Sequence, residues 1–199
     1  MKEGDFIEYE SFEEQRYGRN KDTLVNHAYI NSGTYRRKFD LITDSKKINS
    51  LLYKLAKKIL THRSGSLFDD MYWIDVENEK VIASEVSNKR KKRISYSKTT
   101  RNLIKKRHNI ITIHSHPHSY PPSIEDFNSN YIHNYNLSVI CCHNGRLFIY
   151  TSNCILSEND YKIAIVKYRK QGYNEYEAQM KTLTELCQKY DISFKEVLL

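Results

Sequence analysis

The clearest periodicity in the chain lies in "SKKINSLLYKLAKKILTHRSG", where Ile48, Leu51, Leu52, Leu55, Ala56, Ile59 and Leu60 recur at intervals of three and four. That spacing predicts an amphipathic helix, with Asp44 or Ser45 to cap its start and Gly65 to end it. The pattern then changes. "MYWIDVENEKVIASEV" sets two β-rich runs on either side of Glu77, Asn78 and Glu79, and reads as a hairpin. "SKTTRNLIKKRHN" reads as a short helix, and "IITIHSH" as a buried strand whose apolar run ends in histidines. "PPSIEDFNSNYIHNYN" is a proline-braked loop entering a helix capped by Ser123, and "LSVICCHNGRLFIYTS" a second hairpin turning at His143, Asn144 and Gly145.

The ends are read differently. Residues 1 to about 30 show no sustained apolar period, so 1–40 is expected to be a partly extended arm. Residues 41–155 hold the helix and strand pattern of a core, and 156–199 read as a helical extension, with helices from Glu158 to about Gln171 and Asn174 to about Tyr190. The order of elements predicts an α/β (α+β) fold in which a mixed sheet is flanked by helices. The histidines then fall at the C-terminal end of a strand, where such sheets tend to place ligands.

Composition adds little to the fold and more to the partners. With 39% hydrophobic and 28% charged residues the chain is ordinary for a globular protein. No run approaches the length of an apolar membrane span, and the N-terminus is acidic and polar where a signal peptide would be apolar, so no membrane partner and a cytoplasmic location are expected. Cys141, Cys142, Cys154 and Cys187 have no CxxC spacing and suit reduced thiols. The net charge of +8 is uneven, concentrated in "NKRKKR" and "KKRH". These runs are read first as solvated surface, with Arg90, Lys91, Lys92 and Arg93 as the residues that would contact nucleic acid or an acidic partner.

The candidate chemistry is in "TIHSHPHSYPPSIEDF". Residues two apart on a strand share a face, so His114 and His116 can address one ion, and Asp126 can be folded back toward them by the loop that holds Pro117, Pro121 and Pro122. Two His and one carboxylate leave a zinc ion an open position, as in catalytic sites. Each half of the pattern has a plainer reading: Ser123 with Asp126 is also a helix capping box, and His108, His118, His133 and His143 read as ordinary solvent-facing residues.

Taken together, an apolar strand ending in HxHP and followed by SxxD resembles the signature of the JAB/MPN/JAMM metalloprotease family, over roughly residues 45–155. "YRRKFD" and "HRSGSLFDDMYWID" are similar to JAB-type segments of bacterial phage and mobile-element proteins. The resemblance implies a JAB/MPN-like (cytidine-deaminase-like) architecture, a Zn2+ cofactor held by His114, His116 and Asp126, and Ser123 steadying an oxyanion. It implies hydrolysis of a peptide or isopeptide bond in a protein or peptide substrate, with a phage or mobile-element protein as a further partner.

The chain departs from the family at two points. Nine residues separate His116 from Asp126, one fewer than in the eukaryotic deubiquitinase form. The family's general base is a Glu at the start of an earlier strand, and the matching position here is Asp69, in "SLFDDMYW". An Asp carboxylate is set back by ~1.5 Å, one C–C bond. Two adjacent Asp also suit a plain polar turn, and Glu77, Glu79 and Glu85 are the other carboxylates near enough in sequence to stand in. A weakened or inactive binding and assembly module on the same fold is therefore the alternative to an enzyme.

Overall fold

The structure, a computed structural model, describes residues 20–87 and 94–199. The basic run Arg90, Lys91, Lys92 and Arg93 lies outside the described residues. Helices α1 (His27–Ile30), α2 (Gly33–Phe39) and α3 (Lys46–Arg63) come first, then the hairpin of β1 (Met71–Asp75) and β2 (Lys80–Glu85). Helix α4 (Lys98–Lys105) leads into β3 (Ile110–His116), α5 (Ile124–Ile132) and the second hairpin, β4 (Leu137–Cys142) and β5 (Leu147–Ser152). Helices α6 (Glu158–Lys170) and α7 (Glu175–Lys189) and strand β6 (Ile192–Glu196) complete the chain.

Among the described residues six strands form one mixed sheet in the order β2-β1-β3-β4-β5-β6. Only β3 and β4 run parallel, and α5 connects them. One face of the sheet, carrying Tyr72, Ile74, Ile111, Ile113, Val139 and Cys141, packs on Leu52, Leu55, Ile59 and Leu60 of α3. On the other face, Ile140, Cys142, Phe148 and Tyr150 meet Ile124 and Phe127 of α5 and Leu183 and Leu186 of α7. Met71, Trp73 and Ile110 on that face pack with Ile104 of α4. Alternate residues of each strand thus serve opposite helical layers, as period-two side-chain alternation requires.

The helices start where the sequence places caps. Ser45 accepts from the amide of Ile48, Ser97 from Thr100, Ser123 from Asp126 and Asn174 from Glu177. Each bond satisfies an amide that the first turn leaves without a partner.

Two sequence expectations are corrected. The described part of the 1–40 arm is not extended: α1, α2 and a 3-10 turn at Lys21–Thr23 bring Val25, Ile30, Tyr35 and Phe39 into the α3 core. Helices of four and seven residues are too short to display a period, and burial against α3 stabilises them. A second anchor is the β4–β5 turn. There Lys38 Nζ donates to the Gly145 carbonyl at 3.1 Å, and Gly145 sits at φ +85 with the Tyr29 ring against it. A Cβ at Gly145 would lie 2.3 Å from that ring.

The C-terminal extension is likewise more than helical. β6 pairs antiparallel with β5, from Phe148↔Glu196 to Ser152↔Ile192, so residues beyond 155 finish the sheet and the core spans both expected boundaries. Among the described residues no helix is long and apolar enough to cross a membrane.

Candidate metal centre

Strand β3 is buried on both faces until its last residue. His114 and His116 point toward α5, while Ser115 between them points toward α3. The Nε2 atoms of the two histidines lie 3.1 Å apart. The loop from Pro117 to Pro122 turns the chain back, with all three prolines buried, and delivers the first turn of α5 to the strand end. Asp126 Oδ1 then lies 3.3 Å from His114 Nε2, and Asp126 Oδ2 lies 3.3 Å from His116 Nε2. One ligand atom from each of His114, His116 and Asp126 falls within 4.8 Å of the others, a group that could hold a metal ion.

The surroundings orient these donors. His116 Nδ1 is 2.9 Å from the Tyr120 carbonyl, an acceptor only, so Nδ1 carries a proton and Nε2 faces the cluster. Such a bond from the outer ring nitrogen is what fixes a ligating histidine. Asp126 is held by Ser123, whose backbone amide and hydroxyl donate to Oδ2 at 2.7 and 2.8 Å. The Ser123 hydroxyl in turn accepts from the Asp126 amide at 3.2 Å. The capping box foreseen in "SIED" is therefore present, and the same carboxylate also faces the histidines.

Burial and charge set the protonation. Burial opposes ionisation of Asp126, but His114 and His116 outweigh it and hold its pKa well below the usual value. Burial also opposes a charge on His116; the Asp126 carboxylate overrides it and raises the pKa to about 9. For His114, burial wins and its pKa falls. At neutral pH without metal, the cluster is an Asp126 carboxylate beside a cationic His116 and a neutral His114.

The two adjacent aspartates immediately precede β1, whose Met71 lies opposite His114, so both come beside the end of β3. Asp70 is paired on the α3 face with Arg63 Nε at 2.5 Å and His62 Nδ1 at 2.6 Å. The Ser115 hydroxyl bridges the two: it accepts from the Asp70 amide at 3.3 Å and donates to Asp69 Oδ1 at 3.4 Å. Asp69 is 6% exposed, and burial, with Asp126 adding to it, pushes its pKa up to about 7 against the opposing pull of His116, Ser115 and Arg63.

The other carboxylates weighed from the sequence are engaged elsewhere or remote. Glu79 bonds Lys47 and Ser45 at 2.7 and 2.9 Å. Glu85 accepts from the Ser97 amide and the Thr100 hydroxyl at 2.8 and 2.6 Å. Glu77 lines a cavity of about 410 Å³ with Asp75, Leu103, Lys106, Arg107 and His108, at the opposite end of β3.

His108, His118 and His133 are exposed, as read from the sequence. His143 is not: it is 2% exposed, its Nδ1 bonds the Thr23 carbonyl at 2.6 Å, and burial lowers its pKa to about 4. It belongs to the packing of the N-terminal helices on the β4–β5 turn. Ser115 and the Tyr120 carbonyl were not foreseen as contributors; the strand alternation that pairs His114 with His116 also implies that Ser115 faces away, which is the signal for the former.

Comparisons with family models, with curated proteins and with solved structures return no match to this chain. The chain is thus a mixed α+β protein with one His, His, Asp cluster of metal-binding character among its described residues.

Proposed function

We propose that the chain is a zinc metallopeptidase of the JAB/MPN/JAMM type that hydrolyses a peptide or isopeptide bond in a protein substrate. The observation that carries this reading is the convergence of His114 Nε2, His116 Nε2 and the Asp126 carboxylate at the end of β3, with the buried carboxyl of Asp69 bonded to Ser115, the residue between the two histidines. Two imidazoles and a carboxylate fit zinc, and would hold it with a position left for a water or substrate. When bound, zinc supplies a Lewis acid that polarises a carbonyl and makes a water acidic near neutral pH.

The rest of the chemistry belongs to the chain. Asp69, with a pKa near 7, is poised to accept a proton and return it to a leaving amine. Ser123 uses its hydroxyl to orient Asp126, and it can donate to a developing oxyanion by turning that hydroxyl proton outward. The shorter reach of Asp compared with Glu is a cost, since misplacement by about 1 Å can lower a rate on the order of a hundredfold. This same shortfall favours the second reading, a phage or mobile-element binding and assembly module on the same fold.

Zinc titration by calorimetry, checked by elemental analysis, tests the first step. The expected result is one zinc per chain, with uptake lost in His114→Ala and Asp126→Ala; absence of uptake by the unaltered chain would overturn the proposal. Asp69→Glu separates enzyme from module. A gain on the order of a hundredfold in hydrolysis of a mixed peptide library identifies a weakened enzyme, whereas zinc-loaded but silent forms of both identify the module.

A further inference from the structure

Positive charge in this protein has one address. Residues 86–124 contain ten Lys and Arg, all within 89–107, and no Asp or Glu. The chain has 32 basic and 24 acidic residues, so its remainder holds 22 basic against 24 acidic. Its basic residues that the structure describes lie on α4 and the turn after it. Thr100 and Ile104 are buried and face the sheet, which leaves Lys98, Arg101 and Lys105 on the outward side with Lys106 beyond them, all exposed.

These four cations have no carboxylate partner among the described residues. The contrast with α6 and α7 is direct. There Lys162 pairs with Glu158, Lys167 with Glu185, Arg169 with Glu175 and Lys189 with Asp160. Two acids near α4 are already used: Glu85 accepts from Ser97 and Thr100 inside the first turn, and Asp75 takes Arg107 together with Asn78, while Glu77 shares a cavity lining with Lys106 without an ion pair to it. Steps of three and four along a helix place neighbouring charges about 5–6 Å apart on one stripe, close to the spacing of phosphates along a nucleic acid strand. The stripe exposes one large apolar residue, Leu103, at 36%, whereas a protein-binding patch would need an apolar or aromatic centre. Polar, strongly positive surfaces are the mark of nucleic-acid interfaces.

We propose that the exposed face of α4, built on Lys98, Arg101, Lys105 and Lys106, binds nucleic acid by tracking its phosphate backbone. It is independent of the metal centre and of any peptidase activity. Contacts of this kind position a duplex without reading its sequence, so binding is expected to be indifferent to base order and strongly dependent on salt.

Fluorescence anisotropy with a labelled mixed-sequence DNA duplex, from about 50 to 200 mM salt, tests it. Three phosphate contacts contribute about −2.7 to the slope of log affinity against log salt, about fortyfold over that range. The combined variant Lys98→Gln, Arg101→Gln, Lys105→Gln should lose that much slope while melting at an unchanged temperature. A control, Lys162→Gln, Lys167→Gln, Lys170→Gln on α6, removes equal charge and should leave the slope in place. Failure of the unaltered protein to bind at the lowest salt would overturn the proposal, as would equal slopes for the α4 variant and the unaltered protein. So would displacement of the duplex by polyglutamate at equal charge concentration, which would point to an acidic protein partner instead.

Discussion

At the end of β3 the two faces of the sheet use the same residue types to opposite ends. On the α3 face, Asp70 is closed off: Arg63, fully buried, and His62 both hold it. On the α5 face, Asp126 stands between two histidines, while Asp69 is buried on the Ser115 hydroxyl and forms no ion pair among the described residues. The first arrangement holds α3 to the sheet. The second sets imidazole and carboxylate donors facing one another, so the adjacent aspartates sit in different surroundings.

The largest expected effect tests the closed face. Arg63→Ala leaves Asp70 buried without its main partner and should destabilise the fold by about 3–5 kcal/mol in urea titrations. A loss below about 1 kcal/mol would mean that His62 alone suffices and that the faces are less different than the pairing indicates.

On the open face, Asp69→Asn should act in the other direction. A carboxyl whose pKa is raised on folding, from 3.8 to about 7, binds its proton more tightly in the folded state. Its stabilising contribution is complete below pH 4 and is lost as pH rises through 7. Metal-free Asp69→Asn should therefore match the unaltered protein at pH 4 and exceed its stability at pH 8. The gain is up to ~4 kcal/mol, since each tenfold change in proton affinity is worth about 1.4 kcal/mol. Equal stability of the two proteins at pH 8 would show that Asp69 is hydrated or paired.

A smaller effect concerns the proposed metal. His116 must give up its proton to ligate, and its pKa of about 9 lies above neutrality, so zinc affinity should rise about tenfold per pH unit between 7 and 9. Calorimetry in buffers of differing ionisation enthalpy should detect close to one proton released at pH 7.5. The smallest effect is Ser115→Ala, which removes the bridge between the faces and should cost about 1 kcal/mol, the worth of an ordinary hydrogen bond.

Much of the architecture is legible in local pattern. α3 announces itself by period, the two hairpins by polar turns between β-rich runs, and the helix starts by their capping residues, because each of these is decided within a few residues of chain. The pairing of His114 with His116 is equally local, since it follows from strand periodicity alone. Asp126 was within reach because a short proline loop leaves a helix start few places to go. By contrast, α1 and α2 and the five-residue β6 carry too few residues for a period, and their structure depends on the neighbours they bury against. His143 reads as an ordinary turn histidine until Thr23 is seen to lie on it.

What the sequence determined by itself, then, is the set of elements and the donor types offered at the end of β3. What only the tertiary structure decided is the different surroundings of Asp69 and Asp70. Neighbours in sequence are indistinguishable by composition or spacing; long-range packing gives Asp70 to Arg63 and His62 of α3 and Asp69 to the Ser115 hydroxyl of β3, and no local pattern records such contacts.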